Sequence, residues 1–142
     1  MRALLDVNVL IALIDPVHIH SGRAHEWWAL NRSQGWASCS ITENGLVRVL
    51  SQPAYPGART PAQAMRLLEL FAEQGNHAFW AGDISLLDRQ RFDRTHIFGP
   101  KQLTDVYLLG LAVNNGGRFA TFDRAIWRRA ITGAEPLNLV VI

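Results

Sequence analysis

The stretch from Gln102 to Arg124 constrains the fold more strongly than any other part of the chain. It predicts a helix that carries Asp105 in its first turn and stops at an Asn-Asn-Gly-Gly run. A short apolar strand, residues 118–122, follows and ends at Asp123. If the sheet is parallel, this unit brings two carboxylates to its carboxyl edge, where open α/β sheets bind their ligands.

The rest of the chain alternates between short apolar runs and helical patterns. Strands are predicted at residues 2–5, 36–39, 77–80, 118–122 and 137–142. Helices are predicted at residues 8–14, 21–32, 41–50, 61–74, 83–92, 104–113 and 126–131. This order predicts an α/β fold, a mainly parallel five-stranded sheet with helices on both faces. A chain of 142 residues, 49% of them hydrophobic, is expected to form one domain spanning residues 1–142.

Two further acids follow predicted strands. Asp6 ends the first strand, and Glu43 lies in the first turn of the helix after the second. Each also has a purely structural explanation. Asp6 is suited to the N-terminus of a helix, where the helix dipole favours a negative charge. Glu43 closes a Ser-Ile-Thr-Glu capping box that begins at Ser40, in which its carboxylate would bind a backbone amide.

Taken together, the four acids favour a metal site. All fall at a strand end or in the helix turn just after a strand, and therefore converge on one edge of the sheet. Carboxylates so close together repel one another unless a cation lies among them. Oxygen ligands without His or Cys are typical of Mg²⁺ or Mn²⁺ sites, and such sites hydrolyse phosphodiesters. The predicted ligands and catalytic residues are Asp6, Glu43, Asp105 and Asp123.

Other chemistries fit the residues less well. The chain has neither a G-x-x-x-x-G-K-[ST] nor a G-x-G-x-x-G motif. A phospho-acceptor site needs a lysine at the sheet edge, and Lys101 is the only one. His18, His20 and His25 match no zinc spacing and are interpreted as loop and packing residues. Cys39 is the only cysteine, which excludes an internal disulfide and a cysteine metal cluster and fits a reducing compartment.

Charge gives a weaker indication of the substrate. The net charge is only +2, but all 14 basic residues except Lys101 are arginines. This bias fits either phosphate binding or a GC-rich genome. Arg124, Arg128 and Arg129 directly follow Asp123, and we expect them to bind RNA phosphates, with Arg124 and Arg128 on one face of a short helix. The pair Trp27 and Trp28 is interpreted as core or interface in preference to a base-stacking platform.

Four motifs resemble those of the PIN-domain ribonucleases, specifically the VapC toxins of bacterial toxin-antitoxin pairs. They are L-L-D-V-N-V-L at residues 4–10, S-I-T-E-N-G-L-V-R-V-L at 40–50, L-T-D-V-Y-L-L-G-L-A at 103–112 and G-G-R-F-A-T-F-D-R at 116–124. The resemblance implies that the same four acids bind metal, with Asn8 and Thr121 as polar neighbours that orient them. It also implies Mg²⁺-dependent RNA cleavage, an inhibitory antitoxin and a homodimer.

The favoured function is therefore a toxin with metal-dependent endoribonuclease activity, neutralised by a cognate antitoxin. The alternative is a degenerate domain that only binds RNA or a partner protein. An acid at position 6 interrupts any signal-peptide core, and no apolar run is long enough to span a bilayer. A cytoplasmic location without membrane attachment is expected.

Overall fold

The computed structural model describes all residues from Met1 to Ile142 and contains a five-stranded sheet. Its strands are β1 (Ala3–Leu5), β2 (Trp36–Ser38), β3 (His77–Phe79), β4 (Arg118–Thr121) and β5 (Leu139–Val141). They lie in the order β3-β2-β1-β4-β5, and every neighbouring pair is parallel. The predicted parallel sheet is confirmed.

Five α-helices connect the strands. They are α1 (Val7–Ile14), α2 (Ser21–Asn31), α3 (Ser40–Leu50), α4 (Pro61–Ala72) and α5 (Leu103–Asn114). Short 3-10 turns lie at Arg32–Gln34, Arg94–His96, Pro100–Gln102, Arg128–Ala130 and Pro136–Asn138. None of the helices has the length and apolar composition required to cross a bilayer.

Helices cover both faces of the sheet, as predicted. Because side chains alternate along a strand, Ala3 and Leu5 of β1 face one side while Leu4 faces the other. Ala3 and Leu5 pack in a core that includes residues of α1 to α4. Leu4 packs in a second core formed with α5 and the loops that carry Ile84, Phe92, Ala130 and Ile131. The central strand is therefore buried on both sides, which makes its end a rigid support for a site.

Two glycines allow helices to approach their neighbours closely. A Cβ at Gly45 of α3 would lie 2.5 Å from Cγ2 of Val7, so a glycine is needed where α3 contacts the start of α1. A Cβ at Gly110 of α5 would lie 2.6 Å from the ring of Phe92. The first contact holds the middle of α3 against the start of α1, and the second holds the loop before α5, which carries Phe92, against that helix.

The helix predicted at residues 83–92 is absent, and that prediction was wrong. Two local turns replace it, in which Ser85 Oγ accepts from the Leu87 amide and Asp88 Oδ1 accepts from the Gln90 amide. Such side-chain hydrogen bonds compete with a helix for the backbone. The apolar pair that suggested a helical face was Ile84 and Leu87. Ile84 packs in the core beside α5, whereas Leu87 is exposed.

The helix predicted at residues 126–131 is also wrong, since only the 3-10 turn at Arg128–Ala130 forms. This segment pairs with the preceding loop: Phe92 and Ile131 form an isolated antiparallel bridge. In addition, the Asp93 amide donates to the carbonyl of Ala130 at 2.9 Å. These long-range bonds use backbone groups that a helix would have paired internally.

Candidate active site

Two acids lie where the strand order reverses. From the central strand β1, the chain builds β2 and β3 on one side and β4 and β5 on the other. Asp6 directly follows β1, and Asp123 lies just beyond the end of the neighbouring β4. The crevice outside such a switch point is the usual ligand site of an open α/β sheet.

Asp6 has both a structural and an electrostatic role. Its Oδ1 accepts from the Val7 amide at 2.7 Å, so it caps α1. Its Oδ2 accepts from the hydroxyl of Thr121 at 2.7 Å. Burial raises the pKa of Asp6, and the negative charge of Asp123 raises it further. The two hydrogen bonds lower the pKa, but the net shift is upward. The capping explanation is therefore correct, but it leaves a carboxylate whose charge is disfavoured.

Thr121 connects two of the acids. Its fully buried hydroxyl donates to Asp6 and accepts from the Asp123 amide at 3.1 Å. The Asp123 carboxylate is held in turn, because Oδ1 accepts from the Ala125 amide at 2.7 Å. Asn8, the other predicted polar neighbour, is exposed, and its side chain forms no hydrogen bond. Of the two, Thr121 alone orients acids in this structure.

Asp105, in the first turn of α5, is the most strongly perturbed acid. Burial, together with repulsion by the charges of Asp6 and Asp123, raises its pKa to about 6. None of these three aspartates forms a salt bridge. The site therefore holds negative charge that no basic side chain neutralises.

Glu43 lies apart from the three aspartates. The predicted capping box was wrong in its register, because the N-cap is Cys39 and its amide donates to Thr42 Oγ1 at 3.0 Å. The Thr42 side chain thus binds the N-cap amide, which is the role predicted for Glu43. The Glu43 carboxylate instead accepts a hydrogen bond from Ser38 Oγ, with 2.6 Å between the oxygens.

Sequence reasoning missed Ser38 and His77, which hold Glu43 through a chain of two hydrogen bonds. Ser38, fully buried at the end of β2, lies 2.7 Å from Nε2 of His77 as well as next to Glu43. The His77 ring packs on Trp36 with 4.3 Å between centroids. Burial lowers the pKa of His77, which Glu43 only partly opposes, so the ring is neutral at pH 7. The sequence could have indicated Ser38, because alternation along β2 places it on the same face as Trp36.

The acids line two different cavities. Asp105 and Asp123 line one of about 220 Å³, together with Lys101 and Trp127. Glu43 and His77 lie in a groove of about 600 Å³ between α3 and α4. No three Asp, Glu, His or Cys side chains lie close enough together to hold one ion as they stand. The structure therefore brings three aspartates into mutual repulsion but does not assemble the predicted four-carboxylate cluster.

The predicted phosphate-binding arginines lie beside the aspartates. Arg124 is exposed next to Asp123, while Arg128 and Arg129 line a cavity of about 370 Å³ that adjoins Trp127. None of the three forms a salt bridge. Because the helix expected at residues 126–131 is absent, Arg124 and Arg128 do not share a helical face.

The sequence is closely related to several proteins that share the name ribonuclease VapC. It is 48% identical over 142 residues, all of both chains, to "Ribonuclease VapC44" of Mycobacterium tuberculosis. It is 44% identical to "Ribonuclease VapC38" over 99% of both chains, and 40% identical to "Ribonuclease VapC39" over 94% of this chain and 96% of that relative, both from the same species. The chain belongs to the VapC family. No protein-family model matches it.

A solved structure agrees on the fold. The chain superposes on one in "Crystal structure of VapBC2 from Rickettsia felis bound to a DNA fragment from their promoter", with a TM-score of 0.61 over 100% of this chain and 98% of that one. At 16% identity this match concerns the fold alone. The single α/β PIN-like architecture predicted from the motifs is confirmed.

Proposed function

We propose that this VapC protein is the toxin of a toxin-antitoxin pair and that it acts as an endoribonuclease dependent on a divalent metal ion. The observation that carries the proposal is the set of three aspartates at the switch point, Asp6, Asp105 and Asp123. Burial, together with repulsion by Asp6 and Asp123, raises the pKa of Asp105 to about 6, and none of the three aspartates has a salt-bridge partner. The ribonuclease names of full-length relatives support the same activity.

The donor set fits Mg²⁺ or Mn²⁺. The three aspartates offer only oxygen atoms, which these hard cations prefer, and a cation would neutralise their repulsion. Asp6, Asp105 and Asp123 would hold the ion, and Glu43 would join them with the carboxylate oxygen that Ser38 does not bind. The ion would supply activation of water and stabilisation of the leaving oxygen.

The protein's own residues would orient the metal-binding acids and position the RNA. Thr121 fixes the Asp6 carboxylate and the backbone at Asp123, so both acids face the crevice with little freedom. Asp105 is presented by α5, a helix with six buried residues, and so comes from a rigid element. Lys101, Arg124, Arg128 and Arg129 would bind RNA phosphates around these acids. Such fixed geometry lowers the barrier by positioning the reacting groups in advance.

The non-catalytic alternative is less well supported. A domain that only bound RNA would have no need for three unneutralised aspartates, since they repel phosphates. All four predicted acids are present in the chain, and three of them influence one another's charge or lie in one cavity. We therefore favour the enzyme.

The groove between α3 and α4 is our candidate binding site for an antitoxin. Its apolar lining includes Val47, Met65, Leu68 and Ala72, and Glu43 lies in the same groove. An amphipathic segment could bury its apolar face there and place a basic residue near the acids. Homodimer formation stays a prediction.

Cleavage of total RNA by the purified protein tests the proposal. We expect cleavage in Mg²⁺ or Mn²⁺, none in EDTA, and none by Asp105→Asn in either condition. Sequencing the new RNA ends would identify the substrate and the cleavage site. If wild-type protein leaves total RNA intact in both metals, the nuclease proposal is wrong.

A further inference from the structure

We propose that Trp127 is a stacking platform for an unpaired nucleobase next to the scissile phosphate. The inference rests on the proposed ribonuclease function and deepens it, because it specifies RNA that is single-stranded at the cleavage site. It assigns a substrate-binding role to a residue that the sequence did not single out.

Trp127 lies between the acids and the free basic residues. It lines the cavity that contains Asp105 and Asp123, and also the adjoining cavity that contains Arg128 and Arg129. A strand bound across both cavities would meet phosphate-binding groups on one side of the indole and the aspartates on the other. The nucleotide between them would lie over Trp127.

The indole is held in place but remains accessible. Phe98 contacts it in a T-shaped arrangement with 5.6 Å between centroids, and His96 contacts Phe98 in the same way at 6.4 Å. Trp127 is nevertheless 48% exposed and Phe98 65% exposed. A T-shaped contact uses only one side of a ring, so flat aromatic surface remains for a base.

The surrounding charges favour a nucleic acid over an apolar peptide. Lys101 shares the cavity of the acids, and Arg128 and Arg129 share the neighbouring one. None of the three takes part in a salt bridge, so all remain available for phosphates. Exposed aromatic rings interleaved with unpaired cations are typical of single-strand binding surfaces.

The geometry selects unpaired bases. In an RNA duplex both faces of each base are stacked on its neighbours, so the base cannot lie on a protein ring without leaving the helix. A base in a loop, bulge or end can be turned out and stacked. The platform would thereby direct cleavage to single-stranded positions and disfavour duplex RNA.

The test compares binding of two probes in Ca²⁺ and EDTA. The probes are an unstructured single-stranded oligoribonucleotide and a blunt duplex formed from it, both fluorescently labelled and followed by anisotropy. Trp127→Leu should weaken single-strand binding about 5- to 150-fold, as expected for one lost stacking contact. Duplex binding should change less than twofold. Trp127→Phe should retain most of the affinity, because a phenyl ring still stacks.

The matched control is Trp27→Leu, the same change beyond the opposite edge of the sheet. Trp27 packs on Arg118, which begins β4, with 5.7 Å from Cζ to the ring centroid. We expect it to bind both probes like the wild type. Phe98→Leu provides a second variant at an exposed position, should Trp127→Leu fail to fold, and it should weaken single-strand binding in the same direction.

Each outcome decides the matter. Unchanged single-strand binding by folded Trp127→Leu overturns the platform, as does an equal loss for both probes. Unchanged RNA binding with loss of antitoxin co-purification shows a protein-binding surface and also overturns it. Wild-type cleavage of total RNA in Mg²⁺ is measured separately. If the wild type cleaves but Trp127→Leu binds normally, only the platform is wrong; if the wild type neither cleaves nor binds, both proposals are wrong.

Discussion

The hydroxyl of Ser38 donates a hydrogen bond to Glu43, with 2.6 Å between Oγ and Oε1. The same hydroxyl lies 2.7 Å from Nε2 of His77. A hydroxyl has one proton, and a carboxylate can only accept, so Nε2 of His77 must be the donor in the second bond. A chain of hydrogen bonds from β3 through β2 thus fixes the carboxylate of α3.

Replacing Ser38 with Ala should reduce both activity and stability. Loss of a group that orients a metal ligand typically costs about 10- to 100-fold in activity. Leaving buried polar partners unsatisfied costs about 1–3 kcal/mol of unfolding free energy. Cleavage kinetics and thermal melts measure the two effects, and Ser40→Ala, an exposed serine two residues away, is the control. Lower stability with unchanged kcat would mean that Ser38 only supports the fold.

His77 can be examined separately from Ser38. His77→Gln keeps an N–H donor and should retain most activity, while His77→Phe keeps the packing on Trp36 but loses the donor. We therefore expect His77→Phe to lower kcat more than His77→Gln, with similar melting temperatures. Equal kcat for the two variants would show that the imidazole matters only through its contact with Trp36.

Asp105→Asn should abolish cleavage yet stabilise the metal-free protein above neutral pH. The folded-state pKa of Asp105, about 6, lies above the ordinary value of 3.8. The folded protein therefore binds more protons than the unfolded chain between these values, and the stability that Asp105 contributes is lost as the pH rises through about 6. In EDTA, the melting temperature of Asp105→Asn relative to wild type should rise from pH 4 to pH 7. A constant difference would mean that neither burial nor repulsion raises the pKa of Asp105 in the folded protein.

Asp6→Asn should differ from Asp105→Asn in folding stability. It should also abolish cleavage, and removal of a buried charge that Asp123 repels should favour its fold in EDTA. However, Asp6 caps α1 and accepts from Thr121, so part of this gain is offset by altered hydrogen bonds. We expect Asp6→Asn to be less stable than Asp105→Asn but still folded. Cleavage by either variant, or unfolding of both in EDTA, would show that these acids are only structural.

Mg²⁺ should stabilise the wild type more than either Asn variant. A ligand at 100 times its dissociation constant adds about 2.7 kcal/mol, which corresponds to several degrees for a chain of this size. Removing one ligand carboxylate weakens the ion's binding, so both variants should gain much less. Thermal melts across a Mg²⁺ titration measure this directly. Equal gains in all three proteins would place the ion elsewhere.

Replacing Arg128 and Arg129 with Gln should weaken RNA binding and its salt dependence together. Each lost phosphate contact reduces the slope of log K against log salt by about 0.7 for single strands. Metal-induced stabilisation should persist. Arg32→Gln, at an exposed arginine before β2 and so at the opposite edge of the sheet, should leave the slope unchanged. A slope that is unaffected by the double substitution would move the RNA path away from Trp127, and Arg124 would be tested next.

The parts of the site predicted from sequence depend on local signals. Asp6 and Asp123 follow short apolar strands, and Asp105 lies in the first turn of a strongly apolar helix, so parallel topology alone brings them to one edge. The bonds from the Val7 and Ala125 amides also follow from short-range chain geometry, whereas the bond from Thr121 to Asp6 requires β1 and β4 to be neighbours. For these residues, strand ends and the order of elements were sufficient.

The rest depends on contacts between distant segments. The partnership of Ser38 with His77 requires β2 and β3 to be neighbours in a particular register. The helix wrongly predicted at residues 83–92 was suggested by the spacing of Ile84 and Leu87, but only Ile84 packs beside α5 and Leu87 is exposed. Trp127 lies in a segment whose backbone is held by loop pairing such as the bridge between Phe92 and Ile131. Periodicity cannot distinguish such tertiary contacts from a helix.

The groove between α3 and α4 gives the last prediction, which concerns the antitoxin. Met65 lines this groove and is 53% exposed, so Met65→Glu adds a charge to its apolar lining without disturbing the core. An antitoxin segment seated there would have to bury the new carboxylate, which should weaken binding at least about tenfold. Expression of the wild type alone should arrest growth, and co-expression of the antitoxin should relieve it.

With Met65→Glu, growth should remain arrested despite the antitoxin, and the two proteins should no longer co-purify. Leu30→Glu is the matched control, because Leu30 is exposed on α2 and does not line the groove. It should be neutralised like the wild type. Cleavage of RNA by each purified variant must first be shown, since a harmless variant would mimic rescue. An antitoxin bound in the α3–α4 groove could not tolerate a buried carboxylate there. If the antitoxin neutralises Met65→Glu and wild type equally, the groove is therefore not its binding site.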